Sequence, residues 1–216
     1  PTFDMADATV NLRLVAANTL SSNDGYAGLQ ASTGSSLTVN GSGSLTVTGG
    51  NDGAGIGGGS GVSAGSITFS GGTVETAGNG GGAGIGGGSG GAGGAVIADG
   101  ANTAVTVTGG TGFDIGSGSG NSTGGTLTMK NNAAVNLNRN GTNANTSFIT
   151  GTVGGDGAGL SAGTYLDSHK LLSLSSFTAS PESGVIAFDS ITLTANITGL
   201  SEINAQGQIG FYDNGT

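Results

Sequence analysis

The nonapeptide Gly-Ala-Gly-Ile-Gly-Gly-Gly-Ser-Gly stands twice in this chain, at Gly53–Gly61 and Gly82–Gly90, an offset of 29 residues. Looser copies flank it, Ala27-Gly28-Leu29 before and Phe113-Asp114-Ile115 after. The apolar anchors Leu29, Ile56, Ile85 and Ile115 therefore recur at 27, 29 and 30 residues. Such a period marks a repeat architecture, in which each unit buries its apolar face only against its neighbours.

Two further strand-like segments fill each repeat. The first pairs Leu37 with Val39, then Ile67 with Phe69, Val96 with Ala98, and Leu127 with Met129. The second pairs Leu45 with Val47, Val74 with Thr76, Val105 with Val107, and Val135 with Leu137. Polar residues separate the members of most pairs, and period-two alternation sends the two sets to opposite faces of a strand. The glycine phrase reads as a third strand, with Ala54 and Ile56 inward and a glycine face (Gly55, Gly57, Gly84, Gly86) outward.

Three short strands in 27–31 residues are what a coil of a parallel β-helix requires. Like residues then stack at about 4.8 Å, so that four to five coils make a rod on the order of 24 Å long. Parallel crossovers favour right-handed winding. The fold expected for residues 1–171 is thus an all-β, right-handed parallel β-helix. Its inward columns read Leu37-Ile67-Val96-Leu127 and Leu45-Val74-Val105-Val135. Thr76 interrupts an aliphatic column, and its hydroxyl is expected to bond locally. Thr9–Leu20 is expected to supply the first coil's strand.

The turns follow the same period. Asn23-Asp24-Gly25, Asn51-Asp52-Gly53 and Asn79-Gly80 each precede the glycine phrase, and these residue types accept the left-handed backbone of a sharp corner. Stacked asparagine side chains are expected to hydrogen-bond along the rod. Beyond Asn138 the pattern fades, although Asp156–Leu160 echoes Asp52–Ile56 as an irregular last coil. From about Leu172 glycine thins out. Ile191–Ile197 then reads as a strand, and Ile209–Gly215 as a hairpin-like segment with an Asn-Gly turn signal.

Composition removes several functions. The 216 residues include 49 Gly, 2 Pro and no Cys, with 8% charged residues and a net charge of −9. Glycine without a three-residue period is not collagen. The only cations are Arg13, Lys130, Arg139 and Lys170, too few and too scattered to track a phosphate backbone or an anionic bilayer. No apolar run approaches the length of a membrane span. The absence of cysteine fits an extracellular protein. A chain that opens on Pro1 is expected to be processed or excised from a longer polypeptide.

The residues Asn18-Thr19-Leu20, Ala27-Gly28-Leu29, Gly43–Gly50 and Gly53–Gly59 resemble the glycine-rich repeats of large bacterial surface proteins. The likeness spans roughly residues 9–130, with departures at Val96-Ile97-Ala98 and Phe113-Asp114. It implies a secreted, wall- or cell-surface-associated module with an adhesive or scaffold role. Partners would be neighbouring domains, other copies of the protein, or host and environmental glycans. The tail Ser190–Thr216 is similar to the early strands of bacterial immunoglobulin-like domains. A full sandwich needs about 100 residues, so 172–216 would be an incomplete start of one.

The chemistry-bearing residues are sparse. Polysaccharide lyases and hydrolases on β-helices need paired carboxylates. Of the 13 acidic residues only Glu75 and Asp99 project from central strands, on different faces, while His169 is the single histidine and lies beyond the repeats. No catalytic set is assigned, and a non-enzymatic role is expected. For glycan binding, Tyr26 is the one aromatic expected at the surface, with Phe69 and Phe113 inward, and Asp99 offers a polar group on a lateral face. Gly57 and Gly86, on the expected outward glycine face, would let a partner backbone approach closely, the favoured alternative being a tight coil corner in which only glycine fits. No cofactor is expected. Calcium is the metal to weigh, because Gly109–Asp114 matches the start of a calcium-binding nonapeptide. Asp114 occurs there once, against Gly28, Gly55 and Gly84 in the other repeats. Asp24 and Asp52, on adjacent coils, are the other pair able to share a hard cation. Outward Thr38-Thr68-Ile97-Thr128 and Thr46-Glu75-Thr106-Asn136 are too interrupted for an ice-binding face and read as ordinary β surface.

Overall fold

The computed structural model describes residues 3–131 and 133–138, and the backbone of the strands Gly163–Leu166, His169–Lys170, Ser173–Ser180 and Thr192–Thr198. The chain divides into two compact units, Pro1–His169 and Lys170–Thr216. The first is a β-solenoid of five coils, with no helix among its described residues.

Each coil crosses three parallel sheets in turn. The first sheet holds Phe3–Asp4, Leu29–Gln30, Ile56–Gly57, Ile85–Gly86 and Ile115–Gly116. The second holds Thr9–Leu14, Ser36–Gly41, Ser66–Phe69, Ala95–Asp99 and Thr126–Lys130. The third holds Ala17–Ser21, Ser44–Asn51, Gly72–Asn79, Thr103–Thr108 and Ala134–Leu137. On this last strand Gly163–Leu166 packs antiparallel, which covers that edge of the third sheet.

The inward columns follow the alternation of the sequence. Leu37, Ile67, Val96 and Leu127 are in register, as are Leu45, Val74, Val105 and Val135, and the vertex series Leu29, Ile56, Ile85 and Ile115. All of these are buried, and each large side chain so removed from water contributes about 1.5–3 kcal/mol. Thr76 stands between Val47 and Val107 in its column, and its hydroxyl donates to the Gly84 carbonyl at 3.0 Å, as the local bond expected of it.

Thr9–Leu20 is not one strand. The chain turns at Val15-Ala16, so that Thr9–Leu14 joins the second sheet and Ala17–Ser21 the third. Val15, 72% exposed, sits on that corner. Later coils mark the same corner with glycine, at Gly41 and Gly43, at Gly71-Gly72 and at Gly100. The first coil has none there, and its alternation reads straight through the bend. Phe3–Asp4, which pairs with Leu29–Gln30, had no clear signal in the repeat.

The expected outward glycine face does not exist. Gly55, Gly57, Gly84 and Gly86 are all buried. The first sheet is only two residues wide, and the chain folds back on itself there. The Ala54 N–H donates to the Gly58 carbonyl, and the Ala83 N–H to that of Gly87, both at 3.0 Å. The Phe113 N–H does the same to Ser117 at 3.2 Å. Ile56 and its equivalents point into the core at this narrow vertex, and glycine lets backbone pack on backbone around them. A Cβ on Gly55 would lie 2.1 Å from Thr76 Oγ1, and one on Gly84 2.4 Å from Val107 Cγ1. Gly55 and Gly84 thus make room for inward side chains of the third sheet, whereas a Cβ on Gly57 or Gly86 would meet the backbone of the next coil.

In the second unit, Ser173–Ser180 and Thr192–Thr198 form an antiparallel pair with a register shift between Leu174 and Ser176. The strand read at Ile191–Ile197 corresponds to the second of these. The segments Asp156–Leu160 and Ile209–Gly215 lie outside the described residues.

Candidate functional site

The corner where the third sheet returns to the vertex gathers three of the residues singled out from the sequence, Asp24, Tyr26 and Asp52. The turn itself explains their placement. Asp52 adopts a left-handed backbone (φ 65°), which aspartate tolerates better than most residues. Gly25 and Gly80 take the same conformation on the adjacent coils.

The carboxylates at this corner join one coil to the next. Asp24 Oδ1 accepts the Asn51 N–H at 3.2 Å, while the Gly25 N–H donates to the Asn51 carbonyl at 2.8 Å. Asp52 Oδ1 accepts the Gly81 N–H at 2.8 Å, and its other oxygen accepts from Asn51 Nδ2 at 3.3 Å. The asparagine ladder expected here is therefore replaced by aspartate-to-backbone bonds. Asn51 and Asn79 are in register, but the amide of Asn51 reaches Asp52 and Asn79 Oδ1 accepts the Gly80 N–H at 2.8 Å. An asparagine pair does bridge two coils on the second sheet, from Asn40 Nδ2 to Asn11 Oδ1.

Tyr26 is 47% exposed on this corner, as expected, and its backbone carbonyl accepts the Gly50 N–H of the following coil at 3.0 Å. Phe3, 41% exposed on the first coil, is a second surface aromatic that the repeat pattern does not signal. Phe69 is fully buried, whereas Phe113, expected inward, is only half-buried.

Asp99 lies at the opposite corner, between the second and third sheets. Its Oδ1 accepts from Asn131 Nδ2 at 2.7 Å, and its backbone carbonyl accepts the Thr103 hydroxyl. Tyr26 and Asp99 are thus on different corners of the coil and are not brought together. Glu75 is exposed on the third sheet, away from Asp99 on the second. His169 contributes backbone to a short strand with Lys170. Gly57 and Gly86 are enclosed at the vertex.

Asp114 is buried, and its Oδ1 accepts the Gly109 N–H at 2.6 Å. It occupies the level that Gly84 holds one coil earlier, as the register of Ile85 with Ile115 requires. The carboxylate closes the loop Gly109–Asp114. Among the described residues no group of three or more His, Cys, Asp or Glu is placed to hold a metal ion. Replacing Asp114 by Ala is expected to cost about 1–3 kcal/mol, the usual penalty for orphaning a buried donor. Thermal melts should show the same loss in excess calcium and in chelator. A wild-type melting point that rises with calcium, together with a variant's that does not, would identify Asp114 as a ligand instead.

Among the described residues no helix is long and apolar enough to cross a membrane. The chain matches no family model, no curated protein and no solved structure.

Proposed function

We propose that this chain is a non-enzymatic structural or adhesive module of a large bacterial surface protein, exposed outside the cell or on its wall. One observation carries the reading: three parallel sheets continue in register through all five coils. A backbone ladder of that kind transmits load along its axis, and each added coil extends it without a new fold. The carboxylates give further support, since Asp24, Asp52 and Asp99 each accept a hydrogen bond that ties a turn or joins two coils. The winding is right-handed, the rule for parallel crossovers. The antiparallel pair Ser173–Ser180 and Thr192–Thr198 begins an immunoglobulin-like domain, and neighbouring domains and other copies of the protein are the partners.

The Tyr26 corner favours a second reading, glycan binding. An exposed tyrosine on the same corner of the coil as Asp24, Asn51 and Asp52 combines a stacking surface with hydrogen-bonding groups, the pairing that sugars require. Incubation with pectin- and alginate-like polymers, followed by a glycan array, tests both. Neither turnover nor retention is expected. Turnover would overturn the non-enzymatic reading. Retention lost in Tyr26→Ala but kept in Asp99→Ala would establish the glycan reading.

A further inference from the structure

Two asparagines among the described residues precede glycine, Asn40 and Asn79. The sequence presents them as equivalent, and the fold does not. Asn40 is half-buried within the strand Ser36–Gly41, and its amide nitrogen is held by Asn11 Oδ1. Asn79 is exposed at the end of Gly72–Asn79, where the chain leaves the third sheet. There Gly80 takes a left-handed conformation (φ 53°), and its backbone N–H donates to Asn79 Oδ1 at 2.8 Å. The backbone nitrogen of Gly80 is thus held against the side-chain amide of the residue before it. With no side chain at Gly80, nothing on that residue obstructs an approach to the Asn79 Cγ.

We infer that Asn79 is a site of spontaneous self-modification, in which the Gly80 nitrogen displaces the side-chain amide of Asn79. The Gly80 N–H loses its proton to hydroxide, and its nitrogen attacks Asn79 Cγ. The new N–Cγ bond forms, the Cγ–Nδ2 bond breaks, and ammonia leaves with a proton from water. Water then opens the cyclic imide at either carbonyl, giving aspartate or isoaspartate. No oxidation or reduction occurs, and water is the only co-reactant. Pre-orientation of two reacting groups is the term that separates the two asparagines.

The consequence falls on the coil junction. The Asn79 carbonyl accepts the Asp52 N–H at 3.1 Å and the Gly82 N–H at 2.9 Å. Isoaspartate routes the main chain through the former side chain and leaves that carbonyl as a free carboxylate. The modification therefore adds negative charge beside Asp52 and lengthens the backbone at a turn that joins coils.

The test is peptide mapping by mass spectrometry after prolonged incubation of the full chain at mildly alkaline pH, once folded and once in concentrated urea. In the folded protein, conversion of Asn79 is expected to exceed that of Asn40 by roughly ten-fold or more. In urea the two sites should convert at similar rates, because both are followed by glycine and the fold no longer holds either. Equal conversion in the folded protein, or an Asn79 that stays intact while Asn40 converts, would overturn the inference. A preference for Asn79 that persists in urea would also overturn it, by assigning the effect to local sequence.

Discussion

Replacement of Gly86 by alanine is expected to destabilise the solenoid by about 4 kcal/mol, the sum of backbone strain and overpacking at one buried site. A Cβ on Gly86 would lie 1.8 Å from the Gly116 carbonyl oxygen of the next coil, and its φ of +145° is one that L-residues rarely adopt. The obstacle is backbone rather than a movable side chain. Relief therefore requires the fourth and fifth coils to separate at the vertex, where their ladder is only two residues wide. Gly61 supplies the control from the same repeated phrase. It too has positive φ (+74°), but a Cβ there meets nothing within 4 Å. Gly61→Ala should cost only about 1 kcal/mol, the conformational penalty alone. Since native domains are stable by about 5–15 kcal/mol, the first variant should melt far below the wild type and the second close to it. Equal shifts for the two would show that glycine at the vertex serves turn formation only, and that the backbone contact contributes nothing.

These two glycines also mark how far the sequence could be read. Register was legible because it depends on hydrophobic alternation alone. Once Leu37 faces inward, Ile67, Val96 and Leu127 must follow, and a one-residue slip would place every one of them in water. Thr76 was legible for the same reason, as a polar residue that could stay in its column only by bonding the backbone. The glycine phrase was legible as a tight corner that admits only glycine, but its inward place was not. Alternation sorts side chains into inside and outside, and glycine has none to sort, so Gly55 and Gly57 fell to the outer face by default. Their actual place follows from the reversal at Ala54–Gly58, a backbone contact that leaves no periodic trace. Asp24 and Asp52 were placed correctly in turns. What they bond is backbone N–H groups some 27 and 29 residues away, which no side-chain pattern encodes. Of the candidate binding residues, exposure separates Tyr26 from the rest, and Phe3 shows that a non-repeating residue escapes a reading built on repeats.

Register also sets up the most demanding test of the core. In the second sheet Leu12, Val39, Phe69, Ala98 and Met129 form one column, with the largest side chain placed directly beside the smallest. Phe69 and Ala98 are both buried, at 0% and 1% exposure. Phe69→Ala should cost about 3–5 kcal/mol, as for a fully buried aromatic that leaves a cavity. Ala98→Phe should cost about 1–3 kcal/mol through overpacking. If the two levels share one volume, the exchange Phe69→Ala/Ala98→Phe keeps the column's content and costs less than the sum of the single changes. A coupling of about 1–3 kcal/mol is the expected result from denaturant titration of all four proteins. Recovery should stay incomplete, because the moved ring meets the flexible side chain of Met129 instead of the branched Val39. Strict additivity would mean that the coils pack independently of one another at this level. The solenoid would then derive its stability from within each coil, which is the opposite of what nearest-neighbour stacking demands.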